Sequence, residues 1–259
     1  MALDVRALDL GVLNSLTKYP SIPTYHSLDP ATGSLRDEAI AFSGQVIGTE
    51  KVDGTNARII SLPGGMYLLG SREELLYAKG DLIGNPALGI VAELRAVAER
   101  LAPVDSDAIR VHYLEVYGGK VTAASKHYTG DKQVGHRLFD VVMLADYEAL
   151  LGRQPAELSA WRESGGQTFL CEDALAATAD RDGLVLTPRL FTVDAGELPT
   201  DLDKTRQFLA EHLPRTFSAL DDGGLGQPEG IVLRTVDRAT IAKARFQDYD
   251  RTLRRRERR

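Results

Sequence analysis

Seven short apolar stretches rich in β-branched residues run through the chain: Gln45–Lys51, Ala57–Leu62, Met66–Gly70, Arg110–Tyr117, His136–Leu144, Gly230–Thr235 and Thr240–Phe246. Each is bounded by Gly, Pro, Asp or Ser, the punctuation expected of strands. The strands come in groups separated by helical segments and do not alternate with helices one for one. That grouping argues against a doubly wound parallel sheet, so the expected class is α+β, with largely antiparallel sheets flanked by helices. In SLPGGMYLL, Pro63-Gly64-Gly65 reads as the turn of a hairpin. Helical periodicity is clearest in NPALGIVAELRAVAERLAP, where Leu88, Val91, Leu94 or Arg95, Ala98 and Leu101 lie near one face, Pro86 falls in the first turn and Pro103 follows the end. Two further helices are predicted, one over Asp146–Glu163 and one after Pro199, capped by Thr200-Asp201 and stopped by Pro214.

With 259 residues, 43% of them hydrophobic, the chain has ample material for a buried core. It holds no run of eighteen apolar residues, and its N-terminal stretch lacks the basic start and apolar block of a secretory signal, so the expectation is a cytoplasmic protein without membrane contact. The single Cys171 excludes an internal disulfide, and five scattered histidines show no metal-ligand spacing. The net charge of −6 does not suit a protein that coats nucleic acid by bulk electrostatics. Local patches must therefore carry any such contact. The closing RTLRRRERR reads first as a solvated basic tail and second as a phosphate-binding segment. The expected organisation is one domain to about residue 250, counting an N-terminal arm, with the basic tail at 251–259.

Several charges sit within or at the ends of these apolar strands, where burial costs several kcal/mol unless the charge is paired or bound to a ligand. Lys51 ends one strand, Glu115 lies in VHYLEVYGG, Asp140 in RLFDVVML, Glu229 opens GIVLR, and Lys243 and Arg245 alternate in TIAKARF. Alternation turns Lys243 and Arg245 to one face, and Lys51 and Asp53 to one face if their strand reaches the glycine. Solvated edge strands or structural ion pairs explain each charge singly. Taken together, with Gly54, Gly118, Gly119 and Gly230 to admit a ligand closely, they suit a phosphate-and-metal site. Asp140 is read as structural, and Asp53 either as support for the Lys51 loop or as a substrate contact.

The segments EKVDGTN, GSRE, LEVYGG, RLFDVV, PEGIVLR and IAKAR, in this order from Glu50 to Arg245, resemble the covalent nucleotidyltransferase superfamily of ATP-dependent DNA ligases, RNA ligases and mRNA capping enzymes. Within it, the EKVDGTN, SR and EVYGG forms are most similar to the RNA ligases typified by the nick-sealing enzyme of phage T4. DNA ligases continue the first motif to an arginine, whose place Asn56 takes here, with Arg58 two residues on. The resemblance implies a nucleotidyltransferase (ATP-grasp-like ligase) fold and joining of 5′-phosphate and 3′-hydroxyl ends of a nucleic acid, RNA in the preferred reading. ATP and Mg²⁺ or Mn²⁺ are the implied cofactors.

Residue by residue, the resemblance makes Lys51 the nucleophile on the α-phosphorus of ATP, forming lysyl-AMP. A free lysine, with a pKa of about 10.4, is protonated at neutral pH, so nearby cations such as Lys243 and the metal are expected to activate it. Glu229 would hold the metal, Glu115 the ribose, Phe139 would stack on adenine and Glu50 would read the adenine edge. Lys243 and Arg245 would neutralise the α-phosphate, and Asn56 and Arg72 would position the nucleotide or the strand end. Two features depart from the family pattern: Arg245 stands where a second lysine is usual, and no OB-fold or helical domain fits after it. An accessory protein, the N-terminal arm or the basic tail would then take over that domain's part. A DNA nick ligase, a GTP-using capping enzyme and a non-catalytic nucleotide- or RNA-binding module are the competing readings.

Overall fold

The computed structural model describes residues 3–85, 89–101 and 107–258. In chain order the strands are β1 (His26–Leu28), β2 (Leu35–Ala39), β3 (Gln45–Lys51), β4 (Thr55–Ser61), β5 (Tyr67–Ser71), β6 (Leu75–Ala78), β7 (Asp81–Leu82), β8 (Ile109–Gly118), β9 (Val134–Leu144), β10 (Arg189–Asp194), β11 (Gly230–Thr235) and β12 (Ile241–Arg245). The helices are α1 (Leu10–Thr17), α2 (Ile90–Leu101), α3 (Tyr147–Leu151), α4 (Pro155–Glu163), α5 (Glu172–Asp182), α6 (Leu202–His212) and α7 (Phe246–Arg256). Every ladder between named strands is antiparallel, as the grouping of apolar segments predicts.

The chain divides into two compact units. The first takes Met1–Ser21, Gly54–Ser125 and Val134–Leu186, and is built on a six-stranded sheet of order β7-β6-β5-β4-β8-β9. Ala57, Ile59, Leu114, Val116 and Leu138 project from one face onto Ile90, Leu94, Ala98 and Leu101 of α2. Leu94 is buried while Arg95 is exposed and paired with Glu99, which settles which of the two belongs to the apolar stripe. Pro86, Leu88 and Pro103 lie outside the described residues. The predicted hairpin is present: Ser61 pairs with Tyr67, and Gly64 and Gly65 take positive φ between the strands.

Two expectations for this unit change. The stretch before residue 20 is not a bare arm, because Asp9 caps α1 by accepting from the amides of Gly11 and Val12, and the helix buries Leu13 and Leu16 completely. The helix predicted over Asp146–Glu163 is two helices. Pro155 cannot donate a backbone hydrogen bond and holds Gln154 extended, and Gln154 and Glu157 close a capping box that starts α4 afresh.

The second unit takes Ile22–Asp53, Lys126–Gln133 and Thr187–Arg259, with a four-stranded sheet of order β10-β3-β11-β12 and a separate β1–β2 hairpin. Val46, Ile231, Leu233, Ala242 and Ala244 cover its inner face and meet Leu202, Leu209 and Tyr249 of α6 and α7. Asp201 caps α6 as predicted, accepting from the amide of Lys204. Residues 251–256, expected in a solvated tail, complete α7 instead; Thr252 is buried and its hydroxyl accepts from the amide of Leu35 at 2.8 Å.

Candidate nucleotidyl-transfer site

In the second unit, β11 lies between β3 and β12, and its register aligns the charges. Gly230 stands opposite both Lys51 and Arg245, and Val232 opposite both Thr49 and Lys243. Directly opposed residues share a face of a sheet, so Thr49, Lys51, Val232, Lys243 and Arg245 occupy one face, and Glu50, Ile231 and Ala244 the other. Ile231 and Ala244 pack with α6 and α7, so Lys51 lies on the opposite face of the sheet, where Ile47, Thr49 and Arg234 are buried as well. Lys51 and Arg245, two strands apart at about 10 Å between backbones, flank Gly230, which puts no side chain between them.

Lys51 Nζ lies 2.5 Å from Glu229 Oε2. Both side chains are partly shielded, and burial raises the Glu229 carboxyl above the ordinary range despite the opposing pull of Lys51. Arg245 Nε donates to Asp248 Oδ2 at 2.7 Å, and Asp248, itself buried, also accepts from Arg251 at 2.8 Å. Lys243 is fixed through its backbone: its amide donates to Pro23 O, and its carbonyl accepts from the amide of Tyr25, both at 2.9 Å. Strand β3 stops at Lys51, Val52 turns inward, and the Asp53 amide donates to the Tyr128 hydroxyl at 2.7 Å. Asp53 thus continues the chain after β3, not the face of Lys51.

Glu50 points away from Lys51 into the protein. Its carboxylate accepts from the Thr216 hydroxyl, from the Phe217 amide at 2.9 Å and from the Ser218 hydroxyl at 3.0 Å. The Phe217 ring is left 54% exposed on the segment so held.

In the first unit, Asn56 of β4 and Glu115 of β8 stand directly opposite each other and share a face. Glu115 Oε1 accepts from the Gly54 amide at 3.0 Å, while Asn56 Oδ1 is buried without a hydrogen-bond partner. Such an unmet acceptor is uncommon in a folded interior. Phe139 is the extra residue of a bulge in β9, between Leu138 opposite Leu114 and Asp140 opposite Tyr113. Its half-buried ring meets Tyr19 edge-on at 5.0 Å. Asp140, fully buried, accepts from the Tyr19 hydroxyl at 2.9 Å, in keeping with the structural reading. Arg72 is exposed after β5, with Nε 3.6 Å from Glu73 Oε1. Arg58 has no solvent exposure; burial pushes its guanidinium down to about 10, and it donates to the backbone and side chain of Asn14 in α1. It anchors a helix.

The glycines read as openings for a ligand play other parts. A Cβ on Gly54 would stand 2.3 Å from Val116 O, and one on Gly230 2.2 Å from Ala244 O, so protein backbone already fills that space. Gly118 and Gly119 have positive φ, 82° and 54°, and serve the turn after β8. Tyr128, Thr216, Ser218 and Asp248 escaped the sequence reading. Tyr128, Thr216 and Ser218 lie in loops far along the chain from the groups they hold, and no spacing marks them, whereas Asp248 follows Arg245 by three residues, a spacing of base and acid that was there to be read.

Among the described residues no group of three or more His, Cys, Asp or Glu forms a metal cage. One shielded carboxylate, Glu229, beside cationic side chains fits a hydrated Mg²⁺ or Mn²⁺ that takes its remaining ligands from phosphates and water. No described helix is long and apolar enough to cross a membrane.

A family model described as RNA ligase matches residues 44–246. No curated protein sequence matches the chain. Among solved structures, a Naegleria gruberi RNA ligase with PPi aligns at TM-score 0.56 and 12% identity, covering 94% of this chain and 59% of that one. A mutant of a Naegleria gruberi RNA ligase with ATP and Mn aligns at TM-score 0.55 and 13% identity, over 91% and 62% of the two chains. An archaeal ATP-dependent RNA ligase gives 0.53 and 16%, over 90% and 49%. The chain therefore spans 49% to 62% of the length of these structures, which share its α+β fold.

Proposed function

Because this chain belongs to the RNA ligase family, whose model covers residues 44–246, we propose that it is an ATP-dependent RNA ligase working through a lysyl-AMP intermediate on Lys51. The observation that carries the reading is the face of the second unit's sheet turned away from α6 and α7, where register groups Lys51, Lys243 and Arg245 and brings Glu229 to 2.5 Å from Lys51. Structures of the same fold are described with ATP and Mn, which supports ATP and a divalent metal here.

In the first step the Lys51 Nζ lone pair forms a bond to the α-phosphorus of ATP. The bond from that phosphorus to the bridging oxygen breaks, pyrophosphate leaves with the electron pair, and Nζ gives up a proton. Glu229 orients Nζ. Lys243 and Arg245 meet the charge that builds on the α-phosphate, and the Asp248 contact holds the Arg245 guanidinium in one direction. A divalent metal, when bound, adds Lewis-acid charge at the phosphate oxygens, with Glu229 as its protein ligand. AMP then passes to a 5′-phosphate, restoring the lysine amine, and a 3′-hydroxyl displaces AMP to join the ends.

Glu115 receives the ribose hydroxyls, the unmet acceptor of Asn56 takes a donor from the nucleotide, Phe139 stacks on adenine and Arg72 positions the strand end. For Glu50 we favour an indirect part, through the 216–218 segment, because its carboxylate already accepts from three groups there. A cytoplasmic location, in keeping with the lone Cys171, and an accessory protein beside this chain complete the proposal. Sealing of RNA by the purified chain alone removes the accessory protein from it.

Mass spectrometry of the intact protein after incubation with ATP and Mg²⁺ tests the reading. One AMP on the wild type and none on Lys51→Ala supports it. No adduct with either Mg²⁺ or Mn²⁺, or labelling by GTP and not ATP, overturns it, and sealing of DNA nicks in preference to RNA nicks overturns the choice of RNA.

A further inference from the structure

Helix α7 carries a stripe of cations that the adenylylation chemistry does not use. Gln247, Arg251, Arg254 and Arg255 follow one another at i, i+4, i+7 and i+8, so they share a helix face, and Arg258 extends the row in the turn that follows. Together they line a shallow depression of about 340 Å³ on the second unit.

The charges on this stripe are unevenly compensated. Arg251 is paired with Asp248, whereas Arg254 donates to the carbonyl of Asp250 at 3.0 Å, and Arg255 to Thr32 O at 2.6 Å and Ser34 Oγ at 2.9 Å. Those acceptors are neutral. Among the described residues no ion pair is formed by Arg254, Arg255 or Arg258, and all three are exposed. Of the neighbouring acids, Asp250 is paired with Arg206 at 2.6 Å and Asp37 with Arg256 at 2.8 Å, which leaves the exposed Glu257 as a single acid against three unpaired arginines.

A helix C-terminus favours cations only within its last turn, and Arg251 lies beyond that reach. Like charges at i,i+4 on a helix, as in Arg251–Arg255, repel each other, and Arg254 and Arg258 add like charge to the same row. An anion along the stripe would relieve that repulsion. From residue 251 to 258 the row covers about 10 Å, long enough for two or three successive phosphates of one strand. Guanidinium groups suit phosphate oxygens by geometry as well as charge.

We propose that the arginine face of α7 docks the sugar-phosphate backbone of the RNA on which the chain acts. The choice of RNA rests on the ligase reading, and the choice of a phosphate backbone rests on the stripe itself. Contacts of this kind are read by salt dependence, with a slope of log K against log salt of about 0.7 per phosphate neutralised on a single strand.

The test is binding of a fluorescent 5′-phosphorylated single-stranded oligoribonucleotide, by anisotropy across a salt series, to wild type, R254Q/R258Q and R254K/R258K. These two arginines are exposed and hold no other element, so the variants keep the fold, and lysyl-AMP formation without RNA serves as the check. The glutamine pair should lower the salt slope by about 1.4, the lysine pair should restore it, and both should form lysyl-AMP as the wild type does. An unchanged slope in R254Q/R258Q, or no measurable RNA binding by the wild type at low salt, overturns the proposal. Absence of lysyl-AMP in the wild type together with the expected slope change would sink the ligase reading and leave the phosphate-binding face standing.

Discussion

Lys51 and Glu229 meet at 2.5 Å because Gly230, the residue after Glu229, stands directly opposite Lys51 in the β3–β11 ladder. The pairing of two strands thus delivers a carboxylate to the amine proposed to attack ATP, and two residues 178 positions apart are set side by side by backbone hydrogen bonds.

Glu229→Gln keeps the shape of the side chain and removes its charge. The rate of lysyl-AMP formation should fall by roughly a hundredfold, as expected where a charge worth several kcal/mol at the phosphates is lost; a rate within threefold of wild type would remove Glu229 from the reaction. The same variant carries a pH signature. Burial raises the folded-state pKa of Glu229, so ionising it costs stability as pH rises through the carboxyl range, and the glutamine bears no such cost. Wild type should therefore lose ground against E229Q in Tm between pH 4 and pH 8.

Glu50→Ala leaves the Thr216 and Ser218 hydroxyls and the Phe217 amide without their shared acceptor. A loss of about 2–4 kcal/mol in urea denaturation is expected from removing hydrogen bonds to a buried charged group. Limited proteolysis should also cut sooner between residues 213 and 228.

Gly230→Ala places a Cβ 2.2 Å from Ala244 O and 2.8 Å from the Arg245 Cα, where only backbone could yield. The β11–β12 pair must part locally, at a cost of about 1–3 kcal/mol. Because Arg245 moves with it, lysyl-AMP formation should fall more than stability does. Adenylylation at the wild-type rate would show that Arg245 takes no part.

Two buried histidines set an acid limit. Burial lowers the folded-state pKa of His26 and of His112; the Thr200 carbonyl opposes it at His26, and Asp182, 2.9 Å away, opposes it at His112. Both contribute stability that is complete above the unfolded pKa of about 6.5 and is lost as pH falls below it, because only the unfolded chain takes up the proton there. The urea midpoint should drop between pH 7 and pH 5, and His112→Gln should flatten that drop. An equally steep drop in the variant would locate the effect elsewhere.

The parts of this protein that were legible in its sequence are those governed by neighbours along the chain. Alternation alone puts Lys243 and Arg245 on one face, Pro63-Gly64-Gly65 turns a hairpin, Asp201 caps α6, and the ordered segments from EKVDGTN to IAKAR mark the family. Tertiary structure decided what those residues meet. Strands β1, β2, β7 and β10 are too short or too irregular in pattern to be read, and they exist because a partner strand completes their hydrogen bonds. Glu50 and Lys51 are adjacent in sequence, yet one is buried against residues 166 to 168 positions away and the other lies beside Glu229. A glycine shows in the sequence that space is short, but only the fold shows what occupies it, which at Gly230 is the backbone of Ala244. Local propensity acts over a few residues and specifies strands and faces; contacts between distant segments depend on register and packing, which are settled only when the sheet forms.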